Sequence, residues 1–409
     1  MMEIVPMLAE SVFRTEARPH ALPKAAPATL AALPARPARR SFLGACSGLL
    51  VLIPAGGAAR NQAWPAAPAR AMQDPGEDWR AFQARFVTAE GRVVDTGNAG
   101  ISHSEGQGYG MLFAEAFGDR QAFERIHRWT RTRLRRADGL HAWRYVPGAP
   151  HPVPDQNNAT DGDLYIAWAL LRAAERWHEP AYRREAQAMA QAVLRKLVVE
   201  ADGRTLLLPG AFGFEHADRL VTNPSYYAFP ALRALSHALP DRAWGRLMDD
   251  GVAMLRGMRY GRWGLPADWV EIGRGRGAGT MQPAAGWPAR FSFDAVRVPL
   301  HLAWAGMTTE PALRAATKFW NDPNLAARPA WTDLRNGQLS PYVAPSGIQA
   351  VAEVITAAEV DGRVARPLPG VAGSPDYYSA ALSLLSRIAQ RENPRSALAG
   401  IADSRPAGA

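Results

Sequence analysis

Apolar residues recur at intervals of three and four along most of the chain from Pro75 onward. Trp79, Phe82 and Phe86 fall on one face, Phe123, Ile126 and Trp129 on another, and Leu134 extends the second stripe. Leu164, Ala167, Trp168, Leu171 and Ala174 repeat the pattern within residues 159–177. This period predicts further helices over residues 104–117, 180–198, 224–239, 241–258, 291–304, 310–320, 347–360 and 374–391, about eleven in all. No run of strands is expected. Gly/Pro-rich joints such as residues 147–154 and 261–287 separate the helices. A stacked array of helices shows a fixed sequence repeat, and none is present, so a closed barrel of helical hairpins in one all-α domain is expected instead. Chemistry in such a barrel lies in a cleft of loops and helix N-termini at one end.

The pattern stops short of the first 71 residues, which are rich in Ala and Pro. Within them Ala38-Arg39-Arg40-Ser41-Phe42-Leu43 precedes an apolar run, residues 45–54, too short to span a bilayer. Paired arginines, a short apolar stretch and small residues such as Ala69-Arg70-Ala71 resemble a twin-arginine export signal. Residues 1–71 are therefore expected to be a leader, residues 72–392 the catalytic domain and residues 393–409 a flexible tail. The expected location is periplasmic or secreted, with no stable membrane anchor and a monomeric mature protein.

Charge changes this picture little. The formal net charge is +9, but the leader holds eight basic and three acidic residues, so +4 remains for the body. That is too little, on too large a body, to point to nucleic acid. Gly273-Arg274-Gly275-Arg276-Gly277 superficially suggests a phosphate or RNA-binding loop, but it lacks the Lys-Ser/Thr ending and reads as a surface loop. Cys46 is the only cysteine, so no internal disulfide and no Cys-based zinc site can form. No pair of histidines has metal-binding helical spacing, and neither a metal nor a cofactor is expected.

Candidate chemistry lies in three carboxylates at helix starts. In Ser102-His103-Ser104-Glu105-Gly106-Gln107-Gly108-Tyr109-Gly110, three helical glycines cost roughly 1 kcal/mol each relative to Ala, so a neighbouring helix or a ligand must approach closely. Ser102-x-x-Glu105 and Ser104-x-x-Gln107 are rival capping boxes, and the second would leave Glu105 free. In residues 155–164, Thr160 and Asp163 can cap a helix and Asp155 can belong to the loop, while Asp161 has no such task. The oxygens there also suit calcium, although EF-hand spacing is missing. Asp294 lies in an apolar run with Arg297 three residues on, an arrangement fit for an N-cap ion pair or for a general base. Trp143, Tyr226, Tyr227, Trp263, Trp269, Trp287 and Trp331 are candidate aromatics for stacking on sugar faces. Acids with aromatic platforms point to glycoside hydrolysis.

At these residues the sequence resembles glycoside hydrolase family 8, in particular the endoglucanases encoded with bacterial cellulose-synthesis machinery. The resemblance runs through Gly91–Gly97, the Ser-Glu-Gly-Gln-Gly-Tyr-Gly-Met block at 104–111, and Ala142-Trp143-Arg144. It continues through Ala159-Thr160-Asp161-Gly162-Asp163-Leu164, Asn223-Pro224-Ser225-Tyr226, Leu265-Pro266-Ala267-Asp268-Trp269 and Phe293-Asp294-Ala295-Val296-Arg297. It implies an (α/α)6 barrel and inverting hydrolysis of β-1,4-glucan, with Glu105 as general acid, Asp294 as general base, and Asp161 binding and distorting the sugar. Tyr109, Trp143, Tyr227, Trp269 and Arg297 are expected to contact substrate. A cellulose-secretion apparatus is an expected partner; chitosan, xylan or mixed-linkage glucan is the alternative substrate, and a non-catalytic glucan-binding protein the alternative role. Phe293 departs from the pattern, standing where Tyr often precedes the base. His103, beside the acid, is expected to support it rather than to react. A helix N-terminus favours the ionised acid, and a charged Asp161 nearby is expected to oppose that.

Overall fold

The computed structural model describes residues 75–359 and 367–392. The expected leader and C-terminal tail lie outside the described residues. Among the described residues there are eleven α-helices: α1 (Pro75–Phe86), α2 (Ser104–Ala116), α3 (Arg120–Leu134), α4 (Thr160–Arg176), α5 (Pro180–Lys196), α6 (Phe229–Ala238), α7 (Arg242–Gly257), α8 (Arg297–Trp304), α9 (Pro311–Trp320), α10 (Ser346–Glu359) and α11 (Tyr377–Glu392).

Six of them close a ring in the order α2, α4, α6, α8, α10, α11 and back to α2, each packed on the next. The other five lie against this ring: α1 on α11, α3 on α2, α5 on α4 and α6, α7 on α6, and α9 on α8 and α10. Burial follows the layers. All but one of the 13 residues of α2 and every residue of α8 are buried. In α7 only Trp244, Leu247, Gly251, Met254 and Leu255 are, a single inward stripe. This is the closed all-α barrel that the pattern predicts. No helix among the described residues is long and apolar enough to cross a membrane.

Glycine sets the spacing where the ring is tightest. A Cβ on Gly108 of α2 would lie 2.7 Å from the Tyr165 Cβ of α4, and one on Gly162 of α4 would lie 2.6 Å from the Glu105 nitrogen of α2. The close approach read from the glycines is therefore made by a neighbouring helix.

Short strands appear where none was expected. β1 (Ser102–His103) pairs with β2 (Arg144–Tyr145), and β3 (Val198–Ala201) with β4 (Arg204–Leu207). β5 (Arg219–Thr222), β6 (Val270–Gly273) and β7 (Met281–Pro283) form an antiparallel sheet, and β8 (Arg290–Phe291) pairs with β9 (Thr332–Asp333). Long connections must satisfy their own backbone groups, and pairing does this. Two predicted helices are shortened for related reasons. Residues 291–296 leave the helical path because Asp268 accepts from the Ser292 and Ala295 N–H groups at 2.9 and 2.8 Å. Residues 224–239 divide into a 3-10 turn, Pro224–Tyr226, and α6.

Candidate active site

The N-terminal ends of α2, α4 and α8 meet around one guanidinium. Arg297, in the first turn of α8 and 3% exposed, contacts Glu105 Oε1 through Nη1. The same nitrogen donates to Asp161 Oδ2 at 3.1 Å, and Nη2 donates to Asp294 Oδ1 at 2.7 Å. Nη1 also donates to the Tyr109 hydroxyl at 3.0 Å and Nη2 to Ser225 Oγ at 3.0 Å. The three carboxylates singled out in the sequence are thus brought together. Arg297 is the post that holds them.

Each carboxylate is held in its own way. Neither proposed capping box forms at Glu105: His103 caps α2, its Nδ1 accepting from Gly106 N–H at 3.0 Å. Its Nε2 faces Asp95 Oδ2 at 3.3 Å, so the proton on that nitrogen is directed at Asp95. Gln107 instead holds Val93, Gly91 and Thr130. Glu105 is thereby free of cap duty, and its Oε1 accepts from the Tyr109 hydroxyl at 2.7 Å. Asp161 takes the Gly162 N–H at 2.8 Å and hydrogen-bonds the Tyr226 hydroxyl. Thr160 and Asp163 form no capping box either. Thr160 Oγ1 donates to Leu208 O, while Asp163 receives the His141 N–H and the Asn158 amide. Asp155 accepts from Trp143 Nε1 at 2.8 Å. The oxygens that suited calcium are turned to these protein donors, and no group of three or more His, Cys, Asp or Glu able to hold a metal occurs among the described residues.

Asp294 precedes α8 without capping it. Its Oδ2 accepts from Trp269 Nε1 at 3.2 Å. Burial first, and then the Asp268 carboxylate, raise its pKa to about 7 against hydrogen bonds from Asn223 and Trp269. Burial, with Asp294 and Asp163 adding to it, lifts Asp161 well above the usual carboxylate range, and the Gly162 N–H opposes this. Arg297 is lowered by burial to about 10 and stays charged at neutral pH. Asp161 and Asp294 are thus both held above the usual carboxylate range in a poorly solvated place, beside a guanidinium that stays charged. Between Glu105 and Asp161, where the sequence suggests only the repulsion of two carboxylates, stands a guanidinium that touches both.

The aromatic expectations are met unevenly. Tyr226 faces Asp161, whereas its neighbour Tyr227 points into the core, 1% exposed, with its hydroxyl accepting from Leu207 N–H at 2.9 Å. Tyr227 does not face the carboxylates. Trp269 stacks with Phe214 and with Trp287 at centroid distances of 5.8 and 5.1 Å and presents its N–H to Asp294, so it holds the carboxylate more than it offers a face. Tyr109 lies buried beneath Glu105 and touches the acid, not the cleft. Trp143 is half-buried and borders the acid, its carbonyl accepting from Ser104 N–H at 3.0 Å. Trp263 is bound to Asp322 and Trp331 to Tyr342, away from the carboxylates' own contacts.

Sequence reasoning gave no role to Asp268 or Tyr378. Asp268 is buried, and Ser292 Oγ donates to its Oδ2; with the two backbone bonds it fixes the turn that presents Asp294. The Tyr378 hydroxyl, from α11, donates to the carbonyl of Phe293, and the two rings meet edge-on at 5.6 Å. A hydroxyl therefore reaches the position beside the base from another helix. The signal for Asp268 was an acid in an otherwise apolar Leu-Pro-Ala-Asp-Trp stretch; Tyr378 had none.

With this geometry in view, comparison with known proteins is specific. The model of the family described as "Glycosyl hydrolases family 8" matches residues 57–392, beginning within the segment read as leader. A probable endoglucanase of Novacetimonas hansenii is 45% identical over 328 residues, 79% of this chain and 94% of that one. An endoglucanase of Cellulomonas uda is 43% identical over 279 residues, 68% of this chain and 76% of the other. The structure of an endo-β-1,4-glucanase from Acetobacter xylinum superposes with a TM-score of 0.74 at 44% identity, covering 79% of this chain and 99% of that one.

Proposed function

The chain belongs to glycosyl hydrolases family 8, and from that premise we propose that it is an inverting endo-β-1,4-glucanase. The observation that carries the reading is the single buried guanidinium of Arg297 holding Glu105, Asp161 and Asp294 from three separate elements at one end of the barrel. Glu105, protonated, gives its proton to the glycosidic oxygen as the C1–O bond breaks and the bonding pair passes to the departing sugar. A water on the opposite face attacks C1 and loses its proton to Asp294. The product is the inverted hemiacetal, and each carboxyl group regains its starting state by exchange with solvent. Asp294, with a pKa raised to about 7, is a base matched to neutral conditions. In this reading Asp161, paired to Arg297 and Tyr226, holds a sugar hydroxyl and favours a distorted ring, and those two contacts support it. Trp143, half-buried beside the acid with the Arg144 guanidinium 4.7 Å from its ring centre, and Trp287, stacked on Trp269, are in this reading the rings that meet a glucan chain.

The twin-arginine-like leader supports an extension of this reading: the mature enzyme is exported and meets the glucan outside the cytoplasm, in association with cellulose synthesis. The test is reducing-end release from carboxymethyl-cellulose and cello-oligosaccharides by wild type, Glu105→Gln and Asp294→Asn. Wild type is expected to cut internally, and each variant to lose at least about a hundredfold in rate. Retention of wild-type rate by Glu105→Gln would remove the acid assignment, and inactivity of the wild type on glucan with activity on chitosan or xylan would replace the substrate.

A further inference from the structure

A carboxylic acid carries its proton on one oxygen at a time, and only that oxygen can protonate a leaving group. The two oxygens of Glu105 stand in different company. Oε1 accepts from the Tyr109 hydroxyl at 2.7 Å and contacts Arg297 Nη1, a group that can only donate. A proton on Oε1 would face two other protons. Oε2 lies 3.7 Å from His103 Nδ1, but that nitrogen already accepts the Gly106 N–H, and the ring's other nitrogen is directed at Asp95. No described donor makes a hydrogen bond to Oε2. We propose that the catalytic proton of Glu105 resides on Oε2, that Tyr109 is the positioning residue that keeps it there, and that Tyr165 and His301 brace Tyr109 from below; this rests on the reading of Glu105 as the acid.

The bracing has a regular geometry. Glu105 and Tyr109, Asp161 and Tyr165, and Arg297 and His301 are each four residues apart, on α2, α4 and α8 respectively. Residues so spaced lie on one helix face, one turn apart. Beneath the three charged groups there is thus a second tier of two phenols and an imidazole. The Tyr109 and Tyr165 rings meet edge-to-face at 4.7 Å and 76°, and a hydrogen bond of 2.6 Å joins the Tyr165 hydroxyl to His301 Nε2. Tyr109, Tyr165 and His301 are all buried. His301, lowered by burial and by Arg297 to about 3, is neutral throughout the working range and adds no charge to the cluster. The Tyr109 hydroxyl also lies within hydrogen-bond reach of the Tyr165 hydroxyl, but that oxygen is held by His301, and the carboxylate oxygen Glu105 Oε1 is the stronger acceptor for the Tyr109 proton. Removing the Tyr109 hydroxyl leaves Arg297 as the one donor on Oε1, so the preference for Oε2 weakens and part of the acid population then carries its proton on Oε1.

The test is a series of aryl β-cellobiosides whose phenols differ in acidity, with kcat and KM measured for wild type, Tyr109→Phe and Tyr165→Phe. Poor leaving groups need the proton and good ones do not. Tyr109→Phe is expected to lower kcat roughly tenfold to a hundredfold on the least acidic phenol and only a few-fold on a dinitrophenol, with KM little changed. Tyr165→Phe, which touches neither Glu105 nor substrate, is expected to steepen the same dependence to a smaller degree, and it keeps the test decisive if Tyr109→Phe folds poorly. An equal loss across the series, or no loss at all, in these variants would overturn the proposal. Inactivity of the wild type on every aryl cellobioside and cello-oligosaccharide would overturn the glucanase reading itself, and the placement of the proton with it.

Discussion

At Asp294 the burial that raises the pKa to about 7 also works against the fold. The unfolded carboxylate titrates near 4, so between about pH 4 and 7 the folded state holds a proton that the unfolded state has lost. The stability from that proton is fully present below about pH 4 and declines as pH rises through 7. Asp294→Asn carries no such charge. Thermal unfolding followed at pH 5 and pH 8 is expected to show the variant gaining on wild type at the higher pH, by a few degrees, while activity is lost. An equal difference at both pH values would contradict the raised pKa. Asp268→Asn removes the second cause of that shift, and the acidic limb of the kcat/KM profile is expected to move to lower pH with a reduced plateau, since Ser292 Oγ, in the turn holding Asp294, loses its acceptor Oδ2. At this scale the sequence was legible where a carboxylate had no local task. Asp161 stood out for that reason, and Glu105 because a rival capping box could relieve it, while Asp294 stood out as a lone acid in an apolar run. Tyr226 and Tyr227 were not separable, because one ends the 3-10 turn and the other follows it, and only the turn's seating decides which one meets Asp161.

Among the elements, the contact of α2 with α4 positions the acid. Gly162 packs its bare Cα against Ser104 and the Glu105 nitrogen. A methyl group there would have to displace backbone, so Gly162→Ala is expected to cost about 1–3 kcal/mol and to lower kcat by moving Glu105 relative to Asp294. A variant with lowered melting temperature but wild-type kcat would show that the acid is placed by something other than this seam. The helices themselves were readable from the 3.6-residue period, most ends falling within a few residues of those observed. The start of α8 was not, because Asp268 captures N–H groups that the pattern assigned to a helix. The short strands were likewise invisible, since pairs such as Ser102 with Tyr145 are set by where two loops meet and not by any alternation within either. His103 as the cap of α2 belongs here too: its acceptor nitrogen is fixed by Asp95, eight residues away, across a turn that no capping pattern records.

For the whole molecule, closing the ring and placing the site are separable. α1 is pinned to α11 by Asp78, buried at 2% exposure, whose Oδ2 pairs with Arg387 Nε at 2.6 Å while its Oδ1 accepts from Val371 N–H at 2.7 Å. Asp78→Ala leaves the Val371 N–H without its acceptor and the Arg387 guanidinium without its countercharge, held only by the Leu368 and Pro369 carbonyls, and is expected to cost about 2–4 kcal/mol, seen as a clear fall in melting temperature. Its kcat at 25 °C is expected to match wild type, because no atom of that clasp touches Glu105, Asp161, Asp294 or Arg297. The closed barrel itself was legible from helix number and the absence of a repeat, but the sequence could not show that one arginine gathers three acids, because that convergence exists only once α2, α4 and α8 share an end. The most direct test of that arrangement is the anomeric configuration of the first product, followed by proton NMR as cellohexaose is cut. A base and an acid working from opposite faces release the α-anomer first, which then relaxes to the equilibrium mixture. Initial release of the β-anomer would mean that a carboxylate attacks the sugar directly, and the assignment of Asp294 as the base that activates water would fall.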